Sequence, residues 1–95
     1  MVYKVEATTI AESDLDAIRP FDRAQILTTV EHILCYTPTQ ESRSRIKRLR
    51  MLDSPGYRLR VGDYRVYYDV EPSTMTVTIL SKSASAAYLS QQGEN

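Results

Sequence analysis

Ninety-five residues, 42% hydrophobic and 25% charged, with three glycines and four prolines, lead to the expectation of one globular domain over residues 1–95. A chain of this size buries roughly 60–70% of its unfolded surface around a single core, which leaves no material for a second. No apolar run reaches the roughly 18 residues of a membrane span, and MVYKVEATT lacks the basic-then-apolar layout of a secretion signal. The single cysteine, Cys35, has no internal disulfide partner. The expectation is therefore a cytoplasmic protein with no membrane association. The formal net charge of zero hides a segregation. Residues 1–42 carry three cations against seven acids (−4), residues 43–68 eight against two (+6), and the remainder one against three (−2). This leaves two readings: an anion-facing side that a pI near 6.6 does not advertise, or acidic and basic segments that compensate one another across the fold.

The segment VYKVEA alternates, with Tyr3, Val5 and Ala7 on one side, and predicts a half-buried strand. Thr9 followed by Glu12 has the form of a capping box. Ala11, Leu15 and Ile18 then follow at helical spacing before Pro20, which predicts a helix that stops there. Asp22 and Gln25 suggest a second cap, ahead of an apolar stripe of Ile26, Leu27, Val30, Ile33 and Leu34 running to about Tyr36. The short RPFD break implies an antiparallel helical hairpin. TPTQESRSR reads as loop, and IKRLRML as extended or irregular.

Tyr57–Val61 and Tyr64–Val70 are predicted strands separated by Gly62 and Asp63, a two-residue link that signals a type I′ or II′ hairpin. MTVTILSK predicts a further strand with Val77 and Ile79 inward, and SASAAYLSQQ a short C-terminal helix capped by Ser81 or Ser83. The expected fold class is α+β in two layers: an antiparallel sheet of about four strands in the order β-α-α-β-β-β, with the helices on one face.

A two-residue turn sets the hairpin register as Val61 opposite Tyr64, Arg60 opposite Arg65, Leu59 opposite Val66, Arg58 opposite Tyr67 and Tyr57 opposite Tyr68. Opposed residues share a face. Tyr57, Leu59, Val61, Tyr64, Val66, Tyr68 and Val70 therefore point to the core, and Arg58, Arg60, Arg65 and Tyr67 point away. Arginines about 6 Å apart at an effective dielectric near 20 repel by about 3 kcal/mol before salt screening. Continued alternation along the last strand brings Lys82 to the arginine face, with Tyr88 returning over its end. This face is either a solvated polar surface, stems on the sheet and heads in water, or an anion site. Guanidinium forks match phosphate oxygens and tyrosines stack on bases, so RNA is the natural ligand of the second reading.

The length, the element order and above all YRLRVGDYRVYYDV followed by a strand ending in a basic residue resemble the RelE/ParE superfamily of bacterial type II toxins over nearly the whole chain. The RelE branch, which the basic face favours, comprises ribosome-dependent endoribonucleases that cut mRNA and are held inactive by a cognate antitoxin. The ParE branch shares the fold and acts on DNA gyrase. By position, the resemblance implies a catalytic set of Arg58, Arg60, Arg65, Lys82 and Tyr88. Arg45, Lys47, Arg48, Arg50 and Tyr67 are expected to contact RNA. The implied partners are the antitoxin, the ribosome and mRNA.

Cleavage by a neighbouring 2′-hydroxyl needs a base, positive charge for the transition state and a proton for the leaving oxygen, and no metal or small-molecule cofactor. A tyrosine among cations has its phenolate stabilised, so Tyr88 suits the base. The arginines suit charge stabilisation and Lys82 the acid. His32 reads as structural or solvent-exposed, and Cys35 as core. Asp63 and Asp69 read as turn and strand-edge residues. Two rival readings keep the fold and drop the nuclease: a gyrase-directed toxin, and an inactive module whose arginine face docks an acidic antitoxin segment.

Overall fold

The computed structural model describes residues 2–50 and 54–81. Its elements in chain order are strand β1 (Lys4–Ala7), helix α1 (Thr9–Asp16), helix α2 (Pro20–Ile33), and strands β2 (Ile46–Arg48), β3 (Tyr57–Val61), β4 (Tyr64–Glu71) and β5 (Thr76–Ser81). The strands form one sheet in the order β1-β5-β4-β3-β2. β2 to β5 pair antiparallel as a meander, and β1 closes the far edge parallel to β5. The α+β class and the two layers match the sequence expectation. The strand count and one pairing differ. IKR becomes a fifth strand because it finds a partner edge in β3, with Ile46 opposite Leu59 and Lys47 opposite Arg58. The β1–β5 pair is parallel because the intervening chain supplies the long crossover that parallel pairing requires.

The helix boundaries shift by a few residues for local reasons. Thr8, not Thr9, caps α1: its backbone is extended and its hydroxyl accepts the Ala11 N–H at 3.1 Å, while also donating to the Leu80 carbonyl at 3.1 Å. Pro20 opens α2 rather than closing α1, since a residue without an N–H and with φ preset suits the first helical position. Asp22 therefore lies inside the first turn of α2 and not at its cap.

One face of the sheet is covered. Ala11 and Leu15 of α1 and Ile26 and Val30 of α2, with Leu34, pack on Ile46, Leu59, Val61, Val66, Tyr68, Val77 and Ile79, all buried. Tyr68 is fully buried in this layer, its hydroxyl donates to the Pro38 carbonyl at 2.6 Å, and its ring stacks on Tyr57 with centroids 5.4 Å apart. Burial pushes the Tyr68 hydroxyl well above the usual phenol pKa, so it stays a donor. Cys35 is half-buried rather than part of this core.

The β3–β4 register agrees at all five positions with the one set by a two-residue turn. Gly62 has φ +60° and Asp63 stays at negative φ, the pattern of a type II′ turn. Between β4 and β5 the pairing steps from Tyr68 opposite Ile79 to Tyr67 opposite Ser81, a bulge at Leu80. Strict alternation, on which the expected placement of Lys82 depended, is thus broken before the strand ends. Lys82, Tyr88 and the expected C-terminal helix lie outside the described residues. Among the described residues no helix is long and apolar enough to cross a membrane.

Candidate anion-binding face

The face of the sheet that neither helix covers among the described residues is built in rows by the strand register. At the turn end, Arg65 of β4 is opposite Arg60 of β3, and Arg45, just before β2, flanks Arg60 through a backbone hydrogen bond from Arg60 N–H to the Arg45 carbonyl at 2.8 Å. In the next row Tyr67 is opposite Arg58, which is opposite Lys47. Further along β4 comes Asp69, opposite Thr78. Two rows therefore hold five cations and one tyrosine on neighbouring strands, which lie about 4.8 Å apart. An open cleft of about 360 Å³ runs along them, lined by residues 41–47 together with Arg58, Arg60 and Arg65.

Two of these cations, Arg45 and Arg60, donate to carbonyls. Arg60 Nε reaches the Gly62 carbonyl at 3.4 Å, and Arg45 Nη1 the Arg60 carbonyl at 3.4 Å. Among the described residues no carboxylate lies within 4 Å of the charged groups of Arg43, Arg45, Lys47, Arg58 or Arg60. Glu41, the acid among the residues lining the cleft, is engaged elsewhere: it accepts Arg50 Nη2 at 2.7 Å and the Arg48 N–H at 3.3 Å. Those two bonds hold the Glu41 carboxyl below the usual carboxylate range. Among the described residues, the compensation of acidic and basic segments, one of the two readings of the charge pattern, thus does not reach Arg43, Arg45, Lys47, Arg58 or Arg60.

The structure divides the expected site residues. Arg58, Arg60, Arg65 and Tyr67 are brought together, and Arg45 and Lys47 join them from the strand that composition alone leaves undecided. Arg48 and Arg50 separate from this group. Arg48 is in register with Tyr57 of the core face and places its guanidinium 5.3 Å from the Tyr57 ring centroid, a cation–π contact. Arg50 is paired with Glu41. Both make these contacts within the fold, apart from the two cationic rows. His32 is exposed on α2. Among the described residues no cluster of three or more His, Cys, Asp or Glu is placed to hold a metal ion.

Two carboxylates, Asp69 and Asp22, make tertiary bonds that their expected places at a strand edge and a helix cap do not announce. Asp69 is not a strand-edge residue but sits inside β4, where it accepts the Gly56 N–H at 2.6 Å and the Ser54 hydroxyl at 2.5 Å, tying the entry of β3 to β4. Asp22 accepts Arg19 Nε and Nη2 at 3.1 and 3.2 Å and the Tyr64 hydroxyl at 2.9 Å, joining α2 to the hairpin. These bonds, Arg19's first, hold the Asp22 carboxyl low, and the same carboxylate raises the Tyr64 hydroxyl. No local signal marks a bond spanning 42 residues. The Arg45–Lys47 pair was legible through its spacing of two, had IKR been taken as a strand.

Similar proteins fit this picture. A chain of the toxin–antitoxin complex RelBE2 from Mycobacterium tuberculosis is 28% identical, superposes with a TM-score of 0.77, and the match covers 87% of this chain and 91% of that one. A chain of the RelE–RelB complex from Pyrococcus horikoshii is 26% identical with a TM-score of 0.71, over 87% and 94% of the two chains. The Escherichia coli toxin RelE, as a mutant in the free state, shares the fold at 21% identity and a TM-score of 0.61, over 93% and 92%. No curated protein sequence matches the chain. The family model described as the ParE toxin of the type II toxin–antitoxin system, parDE, matches residues 5–84. The fold, its open basic face and this match agree: the chain belongs to the ParE toxin family of type II toxin–antitoxin systems, within the RelE/ParE superfamily.

Proposed function

We propose that this toxin is a single-domain, metal-independent endoribonuclease that acts in the cytoplasm on mRNA engaged with the ribosome and so inhibits translation. A cognate antitoxin holds it in check. The observation that carries the reading is the pair of cationic rows, Arg45–Arg60–Arg65 and Lys47–Arg58–Tyr67, facing an open cleft with no carboxylate paired to Lys47, Arg58 or Arg60 among the described residues. Uncompensated charge of one sign costs stability, and a polyanionic ligand recovers it. Arg58, Arg60 and Arg65 stabilise the charge that develops at the scissile phosphate, Tyr67 offers a ring to an unstacked base, and Arg45 and Lys47 carry the backbone onward across β2. Tyr88 as base and Lys82 as acid are assigned through the family resemblance. The antitoxin is proposed because the similar chains from M. tuberculosis and P. horikoshii come from toxin–antitoxin complexes.

The test is a translation reaction with programmed ribosomes, read by primer extension. Cuts at codon-defined positions, abolished by Arg65→Ala or Tyr88→Phe, support the assignment. Wild-type cleavage by either variant overturns the site, and intact message overturns the nuclease. A second reading, a gyrase-directed toxin that cuts nothing, draws on the ParE name of the matching family model. Inhibition of gyrase supercoiling with the message left intact selects it.

A further inference from the structure

Beyond the two cationic rows the outward face of β4 changes sign. Two residues past Tyr67, about 7 Å along the strand, it presents Asp69, opposite Thr78 of β5. On the β3 side this third row has no side chain, because the residue one step beyond the Tyr57–Tyr68 pair is Gly56. A Cβ placed there would stand 3.4 Å from Asp69 Oδ1. The carboxylate is fixed by two short bonds: Oδ1 accepts the Gly56 N–H at 2.6 Å, and Oδ2 accepts the Ser54 hydroxyl at 2.5 Å. A carboxylate has about four acceptor positions, so each oxygen keeps one to spare. Asp69 also lines an open cavity of about 440 Å³ with Gly56, Tyr57 and Glu71, so its own bonds do not wall it off.

A fixed carboxylate repels phosphate and attracts N–H donors. In single-stranded RNA the Watson–Crick edges of the bases are free. Guanine presents there two adjacent donors, N1–H and the N2 amine, which match the two oxygens of one carboxylate. Adenine and cytosine present an amine beside a ring-nitrogen acceptor that a carboxylate repels, and uracil presents one N–H between two carbonyls. We propose that Asp69 is a specificity-determining residue that selects guanine as the base received by Tyr67. A base lying on the Tyr67 ring and extending one strand period brings its edge to the carboxylate, over the gap that Gly56 leaves. The inference rests on the reading of the cationic rows as an RNA site and adds to it the identity of one base. The rows hold the backbone whatever the sequence, and Asp69 reads an edge.

Fluorescence anisotropy on the full chain tests this, with labelled oligouridylates that carry one central purine. Guanosine is expected to bind about tenfold tighter than adenosine, the low end of what a hydrogen bond to a charged acceptor contributes. Inosine, which lacks the N2 amine, is expected to lose most of that gain, and 7-deazaguanosine, whose Watson–Crick edge is intact, to keep it. Asp69→Asn retains an acceptor for the Gly56 N–H, and it is expected to bind the guanosine and adenosine RNAs within about twofold of each other. Equal binding of those two RNAs by the wild-type protein overturns the selection and leaves the RNA site standing. No binding of any RNA overturns the RNA site and the selection with it. A guanosine preference that survives Asp69→Asn overturns the role of Asp69. Inosine binding as tightly as guanosine, or 7-deazaguanosine failing to, overturns the paired contact. The modified RNAs are read with the wild-type protein, so they decide the question even where Asp69→Asn fails to fold.

Discussion

Arg58→Met should make this protein more stable and a poorer ligand for polyanions. Arg58 sits between Lys47 and Tyr67 and two residues from Arg60, and no acid pairs with it among the described residues. For like charges about 7 Å apart, an effective dielectric between about 20 and 80 gives about 0.6–2.4 kcal/mol of repulsion per neighbour. Exposure and screening favour the lower end, so neutralising Arg58 should stabilise the fold by about 0.5–1 kcal/mol, or about 3–6 °C in Tm for a domain of this size. Methionine keeps most of the stem that covers the sheet, which isolates the charge from the packing. Urea denaturation at about 0.02 M and about 0.5 M salt checks both halves, since the gain should appear at low salt and vanish at high salt as the Debye length shrinks. Binding of single-stranded RNA should weaken in the same variant. A loss of stability at low salt, or a gain that persists undiminished at high salt, would show that the cationic rows are not under repulsion.

Further expected outcomes follow from individual contacts. Tyr68→Phe leaves the Pro38 carbonyl without its buried donor and should cost about 1–2 kcal/mol by urea or thermal denaturation. Gly62→Ala meets no atom within 4 Å, so its cost should be that of the φ +60° backbone alone, about 1–2 kcal/mol, with the core left intact in the near-UV spectrum. Arg45→Ala and Lys47→Ala should each lower the salt slope of single-stranded RNA binding by about 0.7, whereas Arg48→Ala and Arg50→Ala should leave it in place. Asp22 and Glu41 both have folded pKa values below their unfolded ones. Their contribution to stability is therefore complete above the unfolded carboxylate pKa of about 4 and is lost as pH falls through the lowered folded values. Asp22→Asn and Glu41→Gln should each flatten the acid limb of a stability–pH curve.

The hairpin was legible in sequence because every factor that sets it is local. A two-residue turn beginning with glycine fixes the register of its flanking strands, and the period of two then sorts Leu59, Val61, Val66 and Tyr68 inward and Arg58, Arg60 and Arg65 outward. The apolar stripes of α1 and α2 were readable for the same reason. Tertiary structure alone decided what depends on a distant partner. Ile46–Arg48 is a strand because β3 offers an edge; its own composition is equally compatible with a loop. That pairing carries Arg45 and Lys47 to the cationic face and turns Arg48 toward Tyr57. The bulge at Leu80 depends on how β5 meets β4, and no alternation pattern encodes it. Asp22 has the sequence signature of a helix cap, yet it became the acceptor for Tyr64 because packing of α2 brings the two within hydrogen-bond reach across 42 residues of chain. Local sequence chose which residues face outward, and contacts distant in sequence decided which of them stand together and what holds them there.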